Sequence, residues 1–241
     1  MRAEVRHQLK QDKFSRTTMQ VAEKTVDWSS EHKRLLIGAC IVVAIIAAAA
    51  VGAWYYVQQQ DQKASVDFGK ALQTMNEPIR PAGMPPQPDT PSFASSTERA
   101  TEAHKQFQAI VDKYPHTRAG DFSRYFLGVT SAQIGDTKAA EQDLQTVAGY
   151  HNRNLAALAK LALAGVYRYK KKTEDAVDLY KQLMDNPSDT VSKSAAQIEL
   201  AQTYQDASMT ADAKKQYEQI QKAAPQSEAG QIASAKLQEL K

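Results

Sequence analysis

Three histidines lie beyond residue 57, namely His104, His116 and His151, and they are the side chains best suited to acid–base or metal chemistry at neutral pH. A metal site on a helix needs such ligands one turn apart, and no two of these fall at i, i+4. His104 reads as standing at a helix start, His116 after a helix-ending proline, and His151 in a turn between repeated units. The lone cysteine, Cys40, lies inside an apolar run, so no thiol nucleophile and no intramolecular disulfide is expected beyond it. There is no Gly-rich phosphate loop and no nucleophile elbow. Acidic pairs such as Glu174-Asp175 stand beside helix starts, where the helix dipole favours them. The run Lys170-Lys171-Lys172 closes a helix and reads as a solvated turn. No catalytic residue, metal or cofactor is expected, and the chain reads as a non-enzyme.

The formal net charge of +3 is not spread evenly. Residues 1–34 hold eight Lys/Arg against five Asp/Glu, whereas residues 58–241 hold 22 of each. A nucleic-acid binder concentrates basic charge on its folded part, so no nucleic-acid partner is expected.

Between these regions, Leu35 to Val57 is a run of 23 residues without a charge. As a helix it spans roughly 34 Å at 1.5 Å per residue, enough for a hydrocarbon core of about 30 Å with some tilt. His32, Lys33 and Arg34 precede it, and Trp54, Tyr55 and Tyr56 form an aromatic belt at its far end. The 20 residues after it hold only Lys63 and Lys70, so the basic flank places the N-terminus in the cytoplasm. Two other readings compete. A buried core helix is disfavoured by length. A cleaved signal peptide could use the small residues of Ala50–Ala53, yet it would need an unusually long leading segment. In the tail, Met19, Ala22 and Val26 share helical spacing and Trp28 could rest at the interface; a solvated tail is the alternative.

The distal part repeats. Ala103/Phe107, Ala140/Leu144, Ala176/Tyr180 and Ala213/Tyr217 recur at spacings of 37, 36 and 37 residues, each followed three residues later by Ile110, Val147, Leu183 or Ile220. Pro115, Pro187 and Pro225 close three of the four units. Upstream in each unit a large residue precedes a small one, in Leu127-Gly128, Leu163-Ala164 and Leu200-Ala201, with Tyr167 and Tyr204 three residues on. Each unit thus reads as two helices joined by a short turn such as Gly135-Asp136, the small residues allowing close approach. Residues 58–77 read as the partner of the first such helix, with Phe68-Gly69 as the large–small pair, and this helix could run on directly from the apolar span. Residues 78–98 form a proline-rich loop carrying six of the nine prolines. Gly230–Lys241 reads as a capping helix.

This spacing resembles the tetratricopeptide repeat, whose unit is about 34 residues. Here the period is two or three residues longer, the last small position is filled by Ile, Val or Leu, and Ser131 stands where a tyrosine is usual. These departures suggest wider helix packing. The resemblance implies an all-α fold: one N-terminal transmembrane helix, then a tetratricopeptide-like α-solenoid of helix pairs over 99–241. On its inner face the register places Phe122, Tyr125 and Val129, then Leu161, Arg168 and Tyr169, then Gln202, Gln205 and Asp206. Rings followed by amides suit an extended or helical peptide. The alternative makes Phe122, Tyr125 and Leu161 core, and the sequence leaves both open. No Lys/Asn/Arg carboxylate clamp is present on these positions, which disfavours an acidic C-terminus as ligand.

The whole layout, a cytoplasmic tail over 1–34, an anchor over 35–57 and repeats beyond, is similar to the YfgM-type ancillary subunits of the SecYEG translocon of Gram-negative bacteria. That resemblance implies inner-membrane localisation with a periplasmic domain. Its implied partners are translocon subunits, periplasmic chaperones or secretory polypeptides, with the lipid bilayer contacted through residues 35–57. An anchored scaffold for envelope assembly or division is the alternative.

Overall fold

The computed structural model describes residues 32–81, 83–85 and 92–240. The expectations for Met19, Ala22, Val26 and Trp28, and for the prolines at 86, 88 and 91, fall outside them. Among the described residues there are nine helices and no strand. They are α1 (Lys33–Asn76), α2 (Ser96–Lys113), α3 (Arg118–Gln133), α4 (Thr137–Ala148), α5 (Arg153–Tyr169), α6 (Thr173–Asp185), α7 (Lys193–Asp206), α8 (Thr210–Ala223) and α9 (Glu228–Glu239). The chain divides into two compact units, Met1–Tyr56 and Val57–Lys241.

In the first unit the helix is long and apolar enough to cross a membrane, and none of its most apolar 18-residue window is buried by protein. Its large side chains from Leu35 to Tyr56 stand exposed, save the half-exposed Leu36. A core helix would have them covered, so the core reading fails.

In the second unit each helix packs on the next in sequence from α2 onward. The repeated positions form the core. Ala103, Ala140, Ala176 and Ala213 have no exposure, and Phe107, Leu144, Tyr180 and Tyr217 are buried with them. Ile110, Val147, Leu183 and Ile220 complete the set. An alanine lets two helix axes approach, and the large residue one turn later fills the space this opens against the neighbouring unit. Truncating Leu144 or Tyr180 to Ala would cost about 2–5 kcal/mol, because burial is lost and the packed neighbours relax only partly into the cavity left behind.

The helix starts are set by short polar side chains. Ser95, Thr117, Asp136, Asn152, Ser192 and Ser227 each accept a hydrogen bond from the backbone N–H three residues on. At α2 the Glu98 carboxylate also accepts from the Ala94 N–H, so Ser95 and Glu98 form a capping box of shifted register. This start corrects the expectation for His104, which lies in the middle of α2. Its Nδ1 is 3.2 Å from Thr130 Oγ1 and 3.4 Å from Ser131 Oγ. A small residue at 131, where the repeat usually has a ring, leaves room for that imidazole between α2 and α3.

Two turns share a pattern not recognised from the sequence, Pro115-x-Thr117-x-Ala119-Gly120 and Pro225-x-Ser227-x-Ala229-Gly230. In each the hydroxyl donates back to a carbonyl, Thr117 to Tyr114 (2.9 Å) and Ser227 to Ala224 (2.7 Å). A Cβ on Gly120 or Gly230 would lie 2.1 Å from that same carbonyl oxygen, which is why glycine stands there.

Helix α1 runs unbroken from Lys33 to Asn76. The Phe68-Gly69 expectation needs correction: Phe68 packs on the core, whereas a Cβ at Gly69 would meet nothing within 4 Å. The close approach is made by Ala64 and Ala71, both without exposure, because they and Phe68 share one face while Gly69 is turned from it. Beyond α1, Ile79 and Phe93 pair in an isolated parallel bridge, and Arg80 donates to the Ser92 carbonyl at 2.8 Å.

Candidate functional site

The helices α3, α5, α7 and α9 each open a repeat, and two grooves lie along them. The first, of about 350 Å³, lies between α3 and α5 with Thr137 and Leu144 of α4 also lining it, and is mostly apolar. Val129, Ala132, Ala162 and Val166 are among its walls, and Tyr169, 76% exposed, stands at its rim. Gly165 also lines it, and a Cβ there would meet nothing within 4 Å. A glycine inside a helix costs about 1 kcal/mol relative to alanine, and neither packing nor a left-handed backbone requires one at this position. The missing side chain therefore deepens the groove at the expense of helix stability.

The second groove, of about 540 Å³, is lined from α5, α7 and α9. Its large apolar lining residues are Leu161, Ile198 and Ile232, with Ile232 at 36% exposure. Gln202 and Ser194 add an amide and a hydroxyl. Among the described residues its only charged lining groups are the carboxylates of Glu199 and Glu228.

Beside this groove Arg168 of α5 reaches across to α7. Its Nη1 lies 2.8 Å from Glu199 Oε2 and 3.4 Å from Gln202 Oε1, and its Nε lies 3.6 Å from Asp206 Oδ2. Burial, with the Glu199 charge adding to it, pushes the nearby Tyr180 phenol up to about 12, so it stays a neutral hydroxyl. Asp206 is the last residue of α7, where a negative charge opposes the helix dipole at a cost of about 0.3–1 kcal/mol. It is 57% exposed, and a contact of that kind contributes about 0–1 kcal/mol. The two effects roughly cancel, so helix stability does not account for Asp206.

The nine residues expected on the inner face distribute over the two grooves and the packing beside them. Val129 and Tyr169 meet at the first groove, and Leu161 and Gln202 at the second. Arg168, Gln202 and Asp206 are held together by the contacts just given. Gln205 lies apart from both grooves and accepts from the Tyr217 hydroxyl at 3.5 Å. Phe122 and Tyr125 are half-buried against the core: the Phe122 ring centre is 6.3 Å from that of Phe68, and Tyr125 meets Phe126 edge-on at 5.0 Å. Burial raises the Tyr125 phenol pKa accordingly. Glu199, Ile198, Ile232 and Gly165 went unrecognised. The first two lie one and two turns from Gln202 and Asp206, but Ile232 belongs to a helix taken only as a cap. The lysine run is also more constrained than a solvated turn, since Lys170 and Lys172 both pair with Glu141 of α4.

The family model of the tetratricopeptide repeat-like domain matches residues 27–182, more than half of the chain. The chain belongs to this family. The tetratricopeptide fold is supported independently by solved structures of one set of repeats. TPR-like repeats of a Podosopora anserina protein described as a kinesin light chain superpose with a TM-score of 0.56 at 15% identity, covering 75% of this chain and 86% of that one. A singly substituted variant of the same repeats gives 0.57 at 15% identity, covering 75% and 85%. A tetratricopeptide repeat protein from Parabacteroides merdae is also similar, with a TM-score of 0.46 at 18% identity over 59% of this chain and 54% of that one. No curated protein matches the sequence. Tetratricopeptide-like repeats are protein–protein interaction modules, and the grooves along α3, α5, α7 and α9 are where this chain offers uncovered apolar surface beside polar groups.

Proposed function

We propose that the chain is a single-pass inner-membrane protein whose repeats act in the periplasm as an accessory subunit of the Sec translocon, linking emerging polypeptides to periplasmic chaperones. The observation that carries this reading is the joining of an uncovered apolar helix to an interaction module. The family match starts at residue 27, ahead of the apolar segment, and runs on into the repeats, so the two are matched together. The excess of Lys/Arg before the span supports a cytoplasmic N-terminus. A binding surface confined near the membrane meets partners there at high effective concentration, so modest affinity is enough.

Photo-crosslinking from position 169 at the first groove and position 232 at the second tests this in intact cells. Translocon subunits, secretory precursors or periplasmic chaperones are the expected products. Recovery only of division or outer-membrane assembly proteins would replace this reading with an envelope scaffold. Protease added outside the inner membrane should digest residues 58–241 and spare the tail; the reverse pattern would overturn the orientation.

A further inference from the structure

We infer that the groove between α5, α7 and α9 binds an extended polypeptide segment that pairs large apolar side chains with a lysine or arginine. This rests on the interaction reading above and adds the chemistry of the partner. The apolar half of the requirement comes from Leu161, Ile198 and Ile232, which line the groove from three helices. A segment lying across those helices meets one such residue on each.

The cationic half follows from charge complementarity. Glu199 and Glu228 are the charged groups lining the groove among the described residues, and Asp206 stands one helical stretch further along α7. Arg168 is the cation that contacts this set, and it is shared between Glu199 and Asp206. The groove and its flank thus hold three carboxylates, of which Glu199 and Asp206 contact Arg168 and Glu228 does not. Glu228 has a local reason to be acidic, since it opens α9 and complements the helix dipole. Asp206 ends α7, so the dipole opposes its charge, and the partner it has there is Arg168, already held by Glu199 at 2.8 Å. A cation on the partner would neutralise the excess, whereas an acidic segment would meet repulsion from Glu199 and Glu228. Ser194 and Gln202 offer a hydroxyl and an amide that suit the backbone of an extended segment.

The test uses the full chain in nanodiscs of neutral phosphatidylcholine, with empty nanodiscs as control. Three fluorescein-labelled peptides share the same leucines and phenylalanines and differ only in carrying two lysines, two serines or two glutamates. Fluorescence anisotropy should show the lysine peptide binding about tenfold or more tighter than the glutamate peptide, with the serine peptide between them. Raising salt from about 50 to about 300 mM should weaken the lysine peptide and leave the serine peptide nearly unchanged. The double variant Asp206→Asn, Glu228→Gln should lower lysine-peptide affinity about threefold to tenfold without touching the serine peptide. Ile232→Ser should weaken both, and its helical content and melting by circular dichroism show whether it remains folded. Equal binding of all three peptides would overturn the cationic partner while leaving an interaction module intact. Binding by none, or binding unchanged in both variants, would overturn the groove itself. The crosslinking experiment above would still decide the translocon reading in either case.

Discussion

The Asp61 carboxylate on α1 accepts a hydrogen bond from the backbone N–H of Ala119 at the start of α3, with Oδ1 and N 3.0 Å apart. The first turn of a helix has four N–H groups without intrahelical partners. At α3 the Thr117 hydroxyl takes the Gly120 N–H, and Asp61 takes a second from 58 residues away in sequence. The negative charge also complements the positive end of the helix. Replacing Asp61 with Ala should cost about 1–2 kcal/mol in denaturant unfolding of the full chain, and Asp61→Asn, which keeps an acceptor, about half as much. An unchanged midpoint for Asp61→Ala would remove this contact from the account of how α1 docks.

Glycine-to-alanine changes inside helices should differ in sign according to what a Cβ meets. At Gly165 it meets nothing, so alanine should raise stability by about 0.5–1 kcal/mol while making the α3/α5 groove shallower. At Gly120 and Gly230 it would lie 2.1 Å from a backbone carbonyl oxygen that cannot rotate away, and alanine should cost more than about 2 kcal/mol. Thermal melts of the three single variants would show the split. A gain at Gly120 would contradict the turn geometry.

The turns inside the repeats pass through left-handed backbone at Gly135, Lys171 and Ser208, with φ of 90°, 60° and 61°. At the last two, the N–H groups of Lys171 and Lys172 return to Arg168 and Tyr167, and those of Ser208 and Met209 to Gln205 and Tyr204. A side chain in this region costs about 1 kcal/mol. Lys171→Gly and Ser208→Gly should therefore each raise the unfolding free energy by about 0.5–1 kcal/mol, and Gly135→Ala should lower it by a similar amount. Denaturant midpoints of the three variants measure this directly.

Acid should weaken the junction between α4 and the α5–α6 turn. The hydrogen bond from Lys170, aided by the charges of Lys170 and Lys172, holds the Glu141 carboxyl below its ordinary value of 4.5. A carboxyl depressed in the folded state contributes stability above its unfolded pKa and loses it as pH falls through the lower folded value. The stability difference between the native chain and Glu141→Gln should stay level from about pH 5 to 8 and shrink below about pH 4. A difference that grew on acidification would refute the pairing.

The repeat was legible in advance because burial demands it at fixed intervals. Ala103, Phe107 and Ile110 and their equivalents must pack against neighbours built the same way, so the order of residues alone exposes the period. The apolar span was legible for a similar reason, since 23 uncharged residues in a row leave few physical options. Both depend on local pattern. The fate of Phe122 and Tyr125 did not, because Phe68 of α1, from across the proline-rich segment, meets Phe122 and Phe126, and Phe126 in turn meets Tyr125. Arg168, Gln202 and Asp206 looked like three separate contacts for a ligand, until the packing of α5 on α7 brought the guanidinium within reach of the others. Gly69 and Gly165 are alike as letters in a helix, and only the three-dimensional arrangement shows that one faces away from the core while the other lines a groove. Period and hydropathy are properties of a single chain stretch, whereas a groove exists only between helices, so its shape and charge had to wait for their packing.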